Sequence, residues 1–262
     1  MKTFQHQLWG YQIQLPEDWE HKQFGARDGF ASDLRAFDPD YQGENLAQLM
    51  ILGQWNSLQQ PVSELWQSHL GKVSLMLGAK NLASAPWDMA GARGLEAEIV
   101  LPKKKPQRVW TGILEHGMLV LSFLALHWKE NREEIEPVLS RTIASLNFLS
   151  GVNDLQQTDF GFPLPQEAES TDALSIVPDI PDPENWLAFQ TECSPGALQA
   201  FYTRELPNCG WQITRYVPFP NTGDLPFARV LMNKDQREYS LGIMPGGEDG
   251  QVGSIVIKSY SK

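Results

Sequence analysis

The sequence predicts an α+β fold: an antiparallel sheet covered by helices, followed by a small β-α-β-β-β domain. Three observations carry that expectation. Apolar runs with a period of two alternate with stretches of helical period through the first 150 residues, an acidic proline-rich stretch follows, and strand-like runs surround one helical stripe after residue 185. A length of 262 residues exceeds the usual size of one domain, so two are expected. The boundaries read as 1–150 for the first domain, 151–184 for a linker and 185–262 for the small α+β module.

Taken in order, Tyr11, Ile13 and Leu15 alternate with Gln12 and Gln14, the mark of a strand with one wet face, which Pro16 ends. The run LAQLMILGQW, Leu46 to Trp55, is apolar on both faces and reads as a buried strand. Pro61 suits a first helical position, and Val62, Leu65, Trp66, Leu70, Val73 and Leu77 share one stripe of the helix that follows. Strands are expected at Arg93 to Leu101, Gln107 to Glu115 and Met118 to Trp128, the last two joined in a hairpin by Glu115-His116-Gly117. A closing helix runs to about Asn147 and buries Ile135, Leu139, Ile143 and Leu146. Asn131 with Glu134 fits a cap for it, whereas Pro137 fits a start several residues later; both starts stay open.

An opening Y-x-I-x-L-P-x-x-W (Tyr11, Ile13, Leu15, Pro16, Trp19) and a closing helix that ends in Ser145-Leu146-Asn147-Phe148 frame this pattern. Over roughly the first 148 residues it resembles the PsbP-like and DcrB-like superfamily of α/β/α sandwiches. The resemblance implies a PsbP-like α/β/α sandwich and a binding or assembly role, and it brings no catalytic residues with it.

The acidity of the chain, a formal net charge of -11, is concentrated. Residues 151–184 hold 8 Asp and Glu and 0 Lys or Arg, against 17 and 14 in residues 1–150 and 7 and 7 in residues 185–262. Like-charge repulsion and Pro163, Pro165, Pro178, Pro181 and Pro183 predict an extended linker, with Phe160, Phe162, Leu164, Ile176 and Val177 touching a domain surface. Neither flanking part has the basic excess of a nucleic-acid binder. The longest apolar run, Met118 to Leu126, is about half of the roughly 20 residues that a membrane-spanning helix needs. With no apolar stretch at the start fit for a signal peptide, the chain is expected to be cytoplasmic.

In the small module, Trp186 to Thr191 reads as a strand, and Ser194-Pro195 as a cap and first-turn proline. Leu198, Phe201, Tyr202 and Leu206 make one helical face, Pro207 and Gly210 stop the helix, and strand candidates follow at Trp211 to Val217, Phe227 to Met232, Glu238 to Met244 and Val252 to Ser259. The F-Y-x-x-x-L-x-x-x-G-W core, Phe201, Tyr202, Leu206, Gly210 and Trp211, resembles a small module of many uncharacterised bacterial proteins, often exported ones. A unit this short is expected to lean on the first domain or on another copy, which leaves a homo-oligomer open.

Cys193 and Cys209 flank that helix, roughly 20 Å apart at about 1.5 Å per residue. A disulfide spans about 7 Å between Cα atoms, so the two are expected to be unpaired structural thiols. The histidines, His6, His21, His69, His116 and His127, show no metal-ligand spacing, and His69 on the helical stripe reads as a buried imidazole with a hydrogen-bond partner. Motifs for a serine-hydrolase elbow, a zinc protease, a phosphate-binding loop and a dinucleotide fold are all missing. The expectation is therefore no catalytic residues, no cofactor and no metal.

Two stretches are candidate contact surfaces. PKKKPQRVW places Lys103, Lys104, Lys105, Arg108 and Trp110 at a strand junction, where they either receive an anionic or acidic partner, the acidic linker included, or merely guard a sheet edge. VPFPNTGDLPF places Phe219 and Phe227 on a long loop, as contact aromatics or as lids on the small core. The function expected is a non-catalytic binding or assembly module for a protein partner. The alternative is a small-ligand binder or unrecognised enzyme that uses the cleft between domains, and convergent polar groups in a deep pocket would favour it.

Overall fold

Alternating burial, the expected signature of half-wet strands, recurs through a computed structural model that describes residues 1–38, 47–78, 83–101, 107–128, 132–223, 225–246 and 252–260. The chain divides into two compact units, Met1–His6 with Tyr11–Phe148, and Gln7–Gly10 with Leu149–Lys262. Both are α+β, and every strand ladder among the described residues is antiparallel.

The first unit contains β1 (Lys2–His6), β2 (Tyr11–Leu15), β3 (Glu20–Phe24), β4 (Arg27–Ala31), β5 (Gln48–Trp55), α1 (Val62–Leu77), β6 (Ser84–Pro86), β7 (Arg93–Leu101), β8 (Gln107–His116), β9 (Leu119–Trp128), α2 (Arg132–Ala144) and β10 (Asn147–Phe148). Seven strands form one sheet in the order β3-β4-β5-β9-β8-β7-β6, and β1-β2-β10 form a second. Register assigns the faces of the large sheet. Ala97, Ile99, Val109 and Ile113 lie under α1, where Leu65, Trp66, Leu70 and Val73 are buried. The opposite face is shared by α2 and the three-stranded sheet. Across five strands it carries the row Glu96, Gly112, Phe123, Ile51 and Asp28.

Two helix starts differ from simple expectation. Pro61 sits at the N-cap of α1 and not inside its first turn; Gly78, at φ +68°, closes the other end and donates its N–H to the Ser74 carbonyl at 2.8 Å. α2 already runs from Arg132 and carries Pro137 inside it, so the later start is not used. The ring of Pro137 is on the exposed side, and the apolar side of the helix buries Leu139 and Ile143. That packing outweighs the one lost backbone donor.

The second unit contains β11 (Gln156–Gln157), β12 (Pro163–Leu164), β13 (Glu169–Thr171), α3 (Ala173–Ile176), β14 (Trp186–Gln190), α4 (Pro195–Asn208), β15 (Gln212–Val217), β16 (Ala228–Lys234), β17 (Arg237–Gly246) and β18 (Val252–Tyr260). Its six-stranded sheet has the order β13-β14-β18-β17-β16-β15. All four strand candidates after the helix form, so the run from β14 is β-α-β-β-β-β, one strand longer than expected.

Residues 151–184 are part of this unit and not an extended linker between two others. They supply the β11–β12 hairpin, the edge strand β13 and α3. Phe162 and Leu164 are buried with Leu198, Phe201, Tyr202 and Trp211, while Ala173 packs with Ala188 and Val256 on the other face of the sheet. A buried Phe or Leu side chain stabilises by about 1.5–3 kcal/mol, enough to hold a proline-rich acidic segment down when its charges remain on the wet side.

The stretch FYTRELPNCGW is a helix-to-strand joint. Trp211 N–H bonds the Leu206 carbonyl at 2.9 Å and Gly210 N–H bonds that of Pro207 at 3.1 Å, with Gly210 at φ +79°, the paired closure that a left-handed residue permits. Cys193 and Cys209 are both free. Burial first of all pushes the Cys193 thiol up to about 11, and that of Cys209 also upward, so neither is held as a thiolate.

Candidate functional site

A hairpin, three neighbouring strands and a helix build a cavity of about 240 Å³ in the first unit. Side chains alternate along β7, so Glu96 and Glu98 fall on one face. Glu98 lies in register with Trp110 of β8, and Trp110 with Ala125 of β9. His127, two residues further along β9, is buried and also lines the cavity. α2 supplies the wall opposite, through Glu136, Leu139, Ser140 and Ile143, one apolar and polar mixture at helical spacing.

The remaining wall is Trp87. Beyond β6 the β6–β7 hairpin continues, with Trp87 N–H on the Gly94 carbonyl at 3.0 Å and Met89 bonded both ways with Ala92 at 3.1 and 2.9 Å. Ala90 and Gly91 both have positive φ, 52° and 78°, the geometry of a two-residue turn whose twist matches its strands. The Trp87 ring then lies on the sheet over Gly112. A Cβ at Gly112 would come within 2.8 Å of Trp87 Cζ3, so this strand glycine is what admits the ring. Trp87 meets Trp110 edge-on, with centroids 4.9 Å apart and planes at 89°, and meets Phe123 at 5.2 Å and 85°. Trp110 is fixed by its indole N–H, which donates to Glu96 Oε2 at 2.7 Å.

On the same face of the sheet, Asp28 of β4 gathers side chains from three other strands. The Tyr11 hydroxyl donates to Asp28 Oδ2; His21 Nε2 is 2.8 Å from Oδ1 and His6 Nε2 is 3.6 Å from Oδ2. Phe4 and Phe30 close over the cluster, Phe4 lying 4.4 Å from the His21 ring and 4.9 Å from Phe30. Burial above all, then the charge of Asp28, pushes the Tyr11 hydroxyl well above its ordinary pKa. Tyr11 therefore stays a donor, and the cluster acts as a clasp between β1, β2, β3 and β4, centred on the buried Asp28 and Tyr11.

His69 has the partner expected of it. The Thr111 hydroxyl donates to the Phe123 carbonyl at 2.8 Å and so accepts from His69 Nε2 at 2.6 Å, which places the imidazole proton on Nε2. Burial, helped by Lys72, lowers its pKa from 6.5 to about 4. An unfolded chain binds more protons than the folded one between those values, so the stability contributed by the neutral ring is complete above pH 6.5 and is lost as pH falls toward 4. The loss is on the order of 2–3 kcal/mol. Urea midpoints at pH 7 and pH 4.5 will show it, and His69→Gln will flatten the difference; an equal slope in both proteins would refute this role.

The sequence-predicted contact residues separate. Lys103, Lys104 and Lys105 lie outside the described residues, and the backbone of Arg108 pairs with Val100 and His127. Trp110 lines the cavity. Phe219 is half-buried against the core of the second unit, with its N–H on Gln199 Oε1 at 2.8 Å, and Phe227 is half-buried beside β16. Sequence reasoning passed over Trp87, Glu96, Glu98 and Asp28. A glycine inside β8 was the available signal for the first of these, since strand glycines mark close approach. Among the described residues no set of three His, Cys, Asp or Glu is placed to hold a metal ion, and no helix is long and apolar enough to cross a membrane.

No family model matches the chain, and no curated protein does. Among solved structures it is similar to the cyanobacterial PsbP (CyanoP) of Synechocystis at 11% identity, with 56% of this chain and 91% of that one covered and a TM-score of 0.43. It is similar to LpqN, involved in cell envelope biogenesis of Mycobacterium tuberculosis, at 10% identity, 53% and 83% coverage and a TM-score of 0.40. A Bacteroides thetaiotaomicron protein matches at 11% identity over 94% of this chain and 87% of its own, with a TM-score of 0.38.

Proposed function

We propose that this chain is a non-catalytic binding protein whose ligand seat is the cavity between α2 and the large sheet of the first unit, on a PsbP-like scaffold. One observation carries the reading: two tryptophan rings, fixed by Gly112 and by the Trp110–Glu96 hydrogen bond, converge with carboxylates on a single cavity of about 240 Å³. Convergent polar groups in a concave, aromatic-walled site are the usual marks of a small-molecule seat. The volume is below the roughly 300–1,000 Å³ of drug-sized sites, so the ligand is metabolite-sized. Of the two readings open from the sequence, partner protein or small ligand, this geometry favours the second.

The test is retention. The intact chain, equilibrated with a metabolite extract and freed of unbound material by gel filtration, is expected to carry a small molecule detectable by mass spectrometry. Ser140→Trp, at an exposed position on the cavity wall, is expected to lose it. Equal retention by both proteins, or none by either, overturns the seat.

A further inference from the structure

We infer that a cavity of about 120 Å³ beneath α1 is a second seat, which takes a short-chain carboxylate with its anionic head toward Arg27 and Lys72. It lies on the other face of the large sheet from the cavity against α2 and does not depend on that one.

Strand register builds its floor. Arg27 of β4, Leu52 of β5 and Ser122 of β9 form one cross-strand row, continued on β8 by Ile113, which lies under α1. Met50 and Leu124 belong to the next row on the same face. The helix packs there through Val73, buried with Leu124, while Met50 and Leu52 stay half-buried. The space left beside them is the cavity. Lys72 precedes Val73 by one residue, about 100° round the helix, so it is exposed at the rim of an apolar floor.

The polar groups of this wall call for an anion. Arg27 and Lys72 bring positive charge, Ser122 brings a hydroxyl, and no carboxylate is among the described lining residues. Among the described residues neither cation has an ion-pair partner, and the Ser122 hydroxyl makes no hydrogen bond. The neighbouring positions explain why. Arg27 pairs in register with Phe24 and Leu52, and Lys72 has Ser68, His69 and Leu75 at the spacings where a helical ion pair would form, so no acid stands beside either cation. His69, engaged with Thr111 and neutral at pH 7, adds no charge to the same wall.

A carboxylate accepts from a guanidinium, an ammonium and a hydroxyl alike, and charge-assisted bonds of this kind are the strong ones. A cationic ligand would be repelled, and a neutral one would leave both charges unanswered. Met50, Leu52, Val73 and Leu124 make the remainder apolar, which suits a hydrocarbon tail and not a bare inorganic anion. The volume equals that of about four waters at roughly 30 Å³ each, room for a tail of about four carbons.

Pentanoate and its uncharged isostere, pentanamide, are the probes. The readout is the methyl resonance of Met50 in the full chain, assigned by its loss in Met50→Leu. Pentanoate is expected to shift it saturably at pH 7, and pentanamide to bind about tenfold more weakly. Arg27→Gln and Lys72→Gln, both at exposed positions, are each expected to weaken pentanoate by about the same factor. Ser140→Trp, which fills the cavity against α2, is expected to leave the shift as it was. Equal binding of pentanoate and pentanamide overturns the inference, as does undiminished binding in the double variant Arg27→Gln with Lys72→Gln. No shift at millimolar pentanoate overturns it too. Displacement of pentanoate by inorganic phosphate at equal concentration would show a bare anion patch and overturn the carboxylate assignment, and loss of the shift in Ser140→Trp would move the binding to the other cavity and leave no second seat.

Discussion

Asp28→Ala is expected to destabilise the first unit by about 3 kcal/mol. Asp28 is 2% exposed and is the acceptor for the Tyr11 hydroxyl, with His21 at 2.8 Å and His6 at 3.6 Å. Its removal strands a hydroxyl at a residue that is 0% exposed, and an unpaired buried donor costs its full desolvation. Amide exchange in β1 to β4 is the measurement, because it reads the stability of these strands separately from the rest. The double variant Tyr11→Phe with Asp28→Asn should recover part of the loss, since the stranded hydroxyl is then gone. If Asp28→Ala protects these amides within about 1 kcal/mol of the parent chain, the clasp is not a stabilising element.

Glu205→Ala is expected to cost the second unit about 3–5 kcal/mol. Glu205 is 0% exposed in the last turn of α4 and accepts from Arg204 Nε, from Val152 N–H at 3.2 Å and from Asn208 Nδ2 at 3.4 Å. Arg204 in turn donates to the carbonyls of Gln7 and Leu8, which belong to the same unit. Gly10 at φ +69° lets the guanidinium approach, since a Cβ there would fall within 1.9 Å of Arg204 Nη1. Without the carboxylate, a guanidinium whose side chain is only 13% exposed loses its counter-charge, and the first residues after β10 lose their acceptor. Exchange protection in β14 to β18 should fall by the same amount. Unchanged protection would mean that water replaces the carboxylate at little cost.

Both networks lay beyond sequence reasoning for a common reason. Asp28 is in a strand whose companion β3, Glu20–Phe24, is exposed along most of its length and has no apolar alternation to betray it. Glu205 occupies the helical stripe between Tyr202 and Leu206, where an acidic residue reads as solvated unless its partners are known. Those partners, Val152 and Arg204, are 53 residues away in one case and adjacent in the other. By contrast, the alternation of Tyr11, Ile13 and Leu15 translated directly into side chains no more than 1% exposed, because strand geometry alone sends every second residue to one face. The stripe of Leu65, Trp66, Leu70 and Val73 became the buried side of α1 for the equivalent helical reason.

The candidate site divides in the same way. Trp110 was legible as an aromatic beside the lysine tip, yet nothing in that stretch placed Trp87 over Gly112 and edge-on to Trp110. Residues 151–184 held a similar ambiguity: charge and proline argued for an extended segment, while Phe162 and Leu164 argued for contact, and the core of the second unit decided in favour of contact.

What the sequence by itself determined is the α+β character, the order of the main strands and helices, the unpaired cysteines and the hydrogen-bonded imidazole of His69. The tertiary structure alone decided that the acidic segment completes the second unit, that Asp28 and Glu205 are the centres of buried networks, and that two tryptophans and three carboxylates enclose one cavity. Periodicity reports which face a side chain takes, a property of the local backbone, but the choice of what meets that face is made between segments far apart in the chain, where packing and desolvation must offset the entropy of closing the loops between them.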